Sequence, residues 1–126
     1  MIVIGHPWIE SPKFNKVFSV EDISETEAGS IVVLEPLVDS HAVAKYCQDN
    51  DVAYALPVKT LKEAVFANAL GADFMICEED DALMIQPIAQ EYLFDTRVLV
   101  LIHDEKEIAK NARSLIDGVI FREAIS

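Results

Sequence analysis

Short apolar runs alternate with amphipathic stretches along most of the chain. From residue 30 onward the apolar runs are near-continuous and often β-branched, as expected for strands covered on both faces of a sheet. Strands are predicted at MIVIG (1–5), SIVVLEP (30–36), VAYALPV (52–58), ADFMIC (72–77), RVLVLIH (97–103) and DGVIF (117–121). Residues 1–29 are less regular, and a short edge strand is predicted there at KVFSV (16–20).

Apolar residues recur at helical spacing between these strands. Helices are predicted over residues 40–50, 60–71, about 78–94 and 104–116. The second has marked ends, because Thr60 and Glu63 form a capping box and Gly71 is a natural residue to follow the last turn. Pro87 lacks an N–H, so the third helix either kinks there or begins only near Gln86.

Strands of four to seven residues thus alternate with helices of about ten to fourteen. This alternation predicts an α/β protein with a mostly parallel sheet of about five or six strands and right-handed crossovers. A chain of 126 residues fits one domain, 1–126. The sheet could be open and flavodoxin-like, or curled as a half-barrel of βα repeats.

Two segments resemble parts of the phosphate-binding (β/α)8 barrels. IDGVIFREAI (116–125) is similar to the ADGVIVGSAI type of segment in that superfamily, and VAYALPVKTLKEAVFANALGADFMICEE (52–79) is similar to an interior βαβ unit. Four or five βα units fall short of the eight in a closed barrel, so the resemblance implies a half-barrel. Arg122 and Glu123 replace the small residues that expose the backbone to phosphate, which leaves the Arg122 side chain to contact an anion.

The composition limits which binding partners and which cellular compartment are expected. Acidic residues outnumber Lys and Arg by 22 to 10, and the net charge of −12 disfavours nucleic acid and anionic membrane surfaces. No apolar run approaches the roughly 20 residues that span a bilayer, and the N-terminus does not resemble a signal peptide. Cys47 and Cys77 stand apart with no CxxC, so we expect a cytoplasmic protein with reduced thiols.

Ionisable residues follow the predicted strands, at the edge where open α/β sheets bind ligands. The candidates for acid–base or nucleophilic chemistry are His103, Lys59 and Glu78, and the candidates for ligand binding are Glu35, Arg122 and His6. The competing explanation is that such residues only cap helices or face solvent. Asp104, for example, is expected as the N-cap of the last helix.

The four consecutive acids of MICEEDD (75–81) are split between these two explanations. Asp80 and Asp81 are expected as N-cap and first-turn residues of a helix, where the helix dipole favours negative charge. Glu78 and Glu79 point in different directions, and the three His show no zinc-ligand spacing, so no metal site is predicted. No Gly-rich phosphate loop is present, and no cofactor is expected.

The helix at 60–71 is the predicted interaction surface. Ala64 and Val65 are expected on its buried face, whereas Phe66 and Leu70 fall on the opposite face, where a surface helix should be polar. Two functions therefore stay open. One is a module that forms a homodimer or binds another protein, and the other is an enzyme acting on a small anionic metabolite, with a phosphorylated ligand as one option.

Overall fold

A computed structural model describes all residues, 1–126, and shows a single sheet of seven parallel strands. The strands are β1 (Ile2–Ile4), β2 (Phe14–Lys16), β3 (Ile31–Val33), β4 (Tyr54–Pro57), β5 (Phe74–Cys77), β6 (Arg97–Ile102) and β7 (Gly118–Phe121). The helices are α1 (Val20–Ile23), α2 (Leu37–Asp49), α3 (Leu61–Ala69), α4 (Glu79–Glu91) and α5 (Glu107–Arg113), followed by a 3-10 turn at Arg122–Ala124. The predicted parallel α/β architecture is confirmed, with one strand more than the upper expectation.

The strand order shows which parallel fold the chain adopts. Strands β2 to β7 lie side by side in chain order, and β1 pairs with β7. The sheet therefore curls as a half-barrel. In a flavodoxin-like sheet the strand order reverses at a central strand, and no such reversal occurs between β2 and β7. The two outermost strands, β1 and β2, do not pair with each other.

Residues 125–126 lie along the outer edge of β2. Ile125 bridges to Phe14 in parallel, the Ser126 N–H donates to the Phe14 carbonyl at 2.9 Å, and the Lys16 N–H donates to the Ser126 carbonyl at 2.8 Å. The chain leaves β7, crosses the end of β1 through the 3-10 turn and then contacts the opposite edge strand. The curl thus brings both ends of the sheet close together.

Two apolar cores lie on the two faces of the curled sheet. The inner core consists of strand residues only, Ile4, Phe14, Ile31, Val33, Ala55, Ile76, Leu99 and Ile120. The outer core is larger and includes the buried faces of α2, α3 and α4. All helices therefore pack on the convex face, and the concave face encloses its own core.

The N-terminal strand differs from its prediction. The strand was expected over 16–20, but β2 ends at Lys16 and the chain turns into α1 at Val20. The Ser19 hydroxyl accepts the Asp22 N–H, and the Asp22 carboxylate accepts the Phe18 N–H at 2.9 Å. This reciprocal capping starts a helix where the apolar pattern alone indicates a strand.

The starts of α4 and α5 correct two further predictions. Helix α4 begins at Glu79 after Glu78 as N-cap and continues through Pro87, so a start near Gln86 is wrong. Asp80 and Asp81 both lie in its first turn, and neither is the N-cap. Helix α5 begins at Glu107, three residues later than predicted, and Asp104 is not its N-cap.

Two aspartates explain the turns that enter β5 and β7. The Asp73 carboxylate accepts the Tyr54 N–H of β4 at 3.0 Å, and the Asp117 carboxylate accepts the Val98 N–H of β6 at 2.9 Å. Each aspartate thus caps the neighbouring strand. The Ala-Asp and Asp-Gly pairs have this structural role, which many α/β proteins need.

Gly118 permits the close pairing of β7 with β1. A β-carbon at this position would lie 2.6 Å from the Ile2 Cβ and 2.7 Å from the Ile2 carbonyl oxygen. No side chain fits at these distances without moving the backbone.

The longest helices have 13 residues, and none has both the length and the apolar character needed to cross a membrane.

Candidate functional site

Six of the residues singled out from the sequence follow strand ends. His6, Glu35, Lys59, Glu78, His103 and Arg122 each lie one or two residues beyond β1, β3, β4, β5, β6 and β7, respectively. They share one edge of the sheet because all strands are parallel. Sharing an edge does not bring all of them into one site, as the following contacts show.

A cavity of about 420 Å³ opens at this edge, in the mouth of the half-barrel. Its floor is formed by one inward residue from each of four neighbouring strands, Val33, Pro57, Ile76 and Leu101. Phe18 and Ile125 contribute apolar surface at the side. The volume falls in the range of small-molecule sites, about 300–1,000 Å³.

Arg122 lines this cavity and is held by Glu78. Its Nη2 lies 2.7 Å from both carboxylate oxygens of Glu78. The Arg122 Nε is buried and has no protein acceptor. Because a guanidinium offers five N–H donors, this ion pair leaves donor capacity available at the cavity.

Lys16 and Glu35 also line the cavity, on the neighbouring strands β2 and β3. Lys16 follows the inward-facing Phe14 by two positions within β2, so its side chain leaves the concave face, and Glu35 lines the same cavity two residues after Val33. Five ion pairs form in the structure, and neither Lys16 nor Glu35 takes part in one. The cavity rim therefore carries one free cation and one free anion besides Arg122.

Lys59 and His103 lie outside the lining of this cavity. Both residues are exposed, and β5 separates the strands from which they extend. Neither side chain makes a hydrogen bond, although the Lys59 N–H donates to Glu63 at 2.7 Å. Their predicted roles in acid–base chemistry have no shared partner in this arrangement.

His6 belongs to a separate cluster next to β1 and α5. Its Nε2 lies 2.8 Å from the Glu105 carboxylate, and its Nδ1 accepts the Trp8 N–H at 3.1 Å. The neutral ring therefore carries its proton on Nε2, which donates to Glu105. The Trp8 side chain packs edge-on against His6 and is 89 % exposed.

The four acids at 78–81 act separately. Glu78 pairs with Arg122, whereas Glu79 pairs with Lys110 of α5 at 3.2 Å. Asp80 and Asp81 lie in the first turn of α4, where the helix dipole favours them. No group of three or more His, Cys, Asp or Glu side chains is arranged to hold a metal ion.

The thiol that ends β5 is buried. Burial is the main cause that raises the pKa of Cys77 to about 12, and nearby carboxylates, chiefly Asp81, contribute to the same rise. A thiol with so high a pKa carries almost no thiolate at neutral pH and is a poor nucleophile.

The predicted interaction surface on α3 is only partly as expected. Phe66 is 49 % exposed, but Leu70 is half-buried and Val65, expected inside, is 46 % exposed. The buried face of α3 is formed instead by Ala64 and Ala67. Exposed apolar surface is therefore present on α3, with Val65 next to Phe66.

No protein-family model matches the chain, and a search of curated proteins finds no similar sequence. The curled sheet is compatible with the half-barrel that the sequence resemblance implies. The further likeness to phosphate-binding barrels has no family match to support it.

Sequence reasoning missed two parts of this cavity. Lys16 was assigned to an edge strand and not considered for binding, although it ends a parallel strand like the other candidates. The apolar floor was assigned to the core. No pattern in the sequence separates this floor from the core, because β6 is apolar on both faces.

Proposed function

We propose that the mouth of the half-barrel binds a small anionic molecule with an apolar body. The observation that carries the proposal is the pair of cations, Lys16 and Arg122, above an apolar floor. Lys16 has no acidic partner, and the buried Arg122 Nε has no protein acceptor. An anion at this position would accept charge-assisted hydrogen bonds from both side chains.

The proposed activity is binding and not catalysis. Lys59 and His103 extend outside the cavity, so the chemistry predicted for them does not meet a ligand bound there. Arg122, Lys16 and Glu35 offer recognition by charge and hydrogen bonds. A small α/β module of this kind would act as a ligand carrier or sensor.

The test is a titration of the ¹⁵N-labelled protein with 3-phenylpropanoate, followed by amide chemical shifts. We expect shifts that concentrate at Val33, Ile76 and Leu101, and an affinity about tenfold lower for Lys16→Gln, equivalent to about 1.4 kcal/mol. Lys62→Gln is the matched control, because Lys62 is exposed on α3 and makes no ion pair. Equal weakening by both variants, or shifts confined to another surface, would refute the proposed site.

A second candidate function is self-association through α3 and α4. Val65 and Phe66 of α3 and Leu83 and Met84 of α4 are each 44–49 % exposed, and the two helices are neighbours. Apolar residues on adjacent surface helices are typical of protein interfaces.

Sedimentation equilibrium tests this second function. We expect a dimer that Phe66→Glu converts to a monomer, whereas Ser114→Glu adds the same charge at the exposed residue after α5 and leaves the dimer intact. A protein that stays monomeric at the highest concentrations excludes self-association through this surface.

A further inference from the structure

The cavity rim has free charges of opposite sign on adjacent strands. Lys16 ends β2, and Glu35 extends from β3 two positions beyond the register partner of Lys16. Both residues line the same cavity, and neither side chain takes part in an ion pair. Two opposite charges that face one cavity without pairing offer separate contacts to one ligand.

Glu35 also limits which anions fit. A phosphate ester carries nearly two negative charges at neutral pH. It would lie near Glu35 and Glu78, in a protein whose net charge is −12. A carboxylate carries only one negative charge, and an ammonium group on the same ligand would turn the Glu35 repulsion into attraction.

From these charges we infer that the ligand is a zwitterion of the apolar α-amino acid class, an inference that rests on the proposed function. The ligand carboxylate lies between Lys16 and Arg122, and its ammonium group lies against Glu35. Its side chain covers the apolar floor at Ile76 and Leu101.

Arg122 is prepared for this contact by its existing partner. Only Nη2 bonds to Glu78, at 2.7 Å to each oxygen. The buried Nε therefore keeps a donor without an acceptor in the protein. Glu78 holds the guanidinium in place, and the ligand carboxylate accepts from guanidinium donors that this ion pair leaves unused.

The experiment compares three probes by isothermal titration calorimetry with the whole protein. L-phenylalanine carries both charged groups, 3-phenylpropanoate lacks the ammonium group, and 2-phenylethylamine lacks the carboxylate. We expect L-phenylalanine to bind at least tenfold more tightly than either of the other two. Glu35→Gln should remove the preference for L-phenylalanine over 3-phenylpropanoate, whereas the exposed control Glu91→Gln should preserve it.

The results separate the two proposals. Equal affinity for L-phenylalanine and 3-phenylpropanoate overturns the zwitterion inference and leaves the anion site standing. Binding of neither compound to the folded protein overturns both. A preference that survives Glu35→Gln overturns the role of Glu35, and with it this inference.

Discussion

Arg122 and Glu78 lie 44 positions apart in the chain and meet at the mouth of the half-barrel, where one guanidinium nitrogen lies 2.7 Å from both carboxylate oxygens. Their strands, β7 and β5, are separated by β6. The pair therefore spans the cavity edge and links the start of α4 to the 3-10 turn after β7. It also gives the first acid in the run at 78–81 a partner that the sequence did not indicate.

Loss of this ion pair should change stability little. Both side chains are more than one third exposed, so solvent screens the attraction and the net gain is about 0–1 kcal/mol. We expect Glu78→Gln to lower the free energy of unfolding by less than about 1 kcal/mol in urea titrations. Glu91→Gln serves as the control for loss of one exposed carboxylate. A loss well above 2 kcal/mol for Glu78→Gln alone would show that the pair is a structural requirement.

Glu107 should make stability depend on pH. The N–H groups of His103 and Asp104 donate to its carboxylate at 2.8 and 3.0 Å, and these bonds lower the pKa of Glu107 below its ordinary 4.5. Because the pKa is lower in the folded state, the stabilisation is complete above the unfolded pKa and is lost as the pH falls through the folded value.

Urea unfolding of Glu107→Gln measures this dependence. The variant should be less stable than the parent by about 0.5–1 kcal/mol at pH 7, in the range of helix-capping contacts. The difference should shrink as the pH falls below about 4. A difference that is constant from pH 7 to pH 3 would show that the carboxylate charge is not the cause.

Neither thiol should react in the folded protein. Burial is the main cause that raises the pKa of Cys47 to about 11 and the pKa of Cys77 to about 12. With a disulfide reagent at pH 8, we expect no fast-reacting thiol in buffer and two in denaturing urea. Ser114→Cys places a thiol on exposed surface and should add one fast-reacting group, which proves the reagent competent. Rapid native reaction of the parent protein would contradict the burial of Cys47 on α2 or of Cys77 on β5.

Gly118→Ala should be strongly destabilising. The added methyl would lie 2.6–2.7 Å from the Ile2 side chain and carbonyl, and a backbone contact cannot be relieved by a rotamer change. We expect a loss of about 2–3 kcal/mol or more in the free energy of unfolding.

Gly29→Ala is the matched glycine control. Its φ of +85° makes the alanine strained, but no atom lies within 4 Å of the added carbon. The expected loss is about 1 kcal/mol, set by backbone conformation alone. Equal losses for the two variants would mean that the close approach of β1 to β7 does not limit position 118.

The pattern of apolar residues was sufficient to predict the fold class, but it did not predict the strand order and curl of the sheet. Runs such as VLVLI (98–102) are apolar at every position because β6 lies between the inner core and the helices, and this predicts a parallel sheet directly. The order of the strands follows from long-range pairing, as between Ile2 and Gly118, which no local pattern encodes. The segment FNK of β2 has one apolar residue in three, too little to indicate a strand.

The sequence likewise predicted only some of the residues of the candidate site. Arg122 and Glu35 were identified because residues after parallel strands collect at one edge, and both line the cavity. Lys16 was missed because the strand was predicted over 16–20, which makes Lys16 its first residue, whereas β2 ends at Lys16. Lys59 and His103 share the edge but not the cavity, because side-chain direction beyond a strand end depends on turn geometry that residue type does not specify.

The pairing of β1 with β7 also sets the order in which the molecule can fold. Gly118 follows Ile2 by 116 positions, so β1 gains its neighbour only after β7 has been synthesised. Strands β3 to β6 can pair through short crossovers before that point, while β1 stays unpaired. Closing so long a loop carries a large entropic cost before any contact compensates it, which makes slow, late ordering of the N-terminus the natural course for this chain.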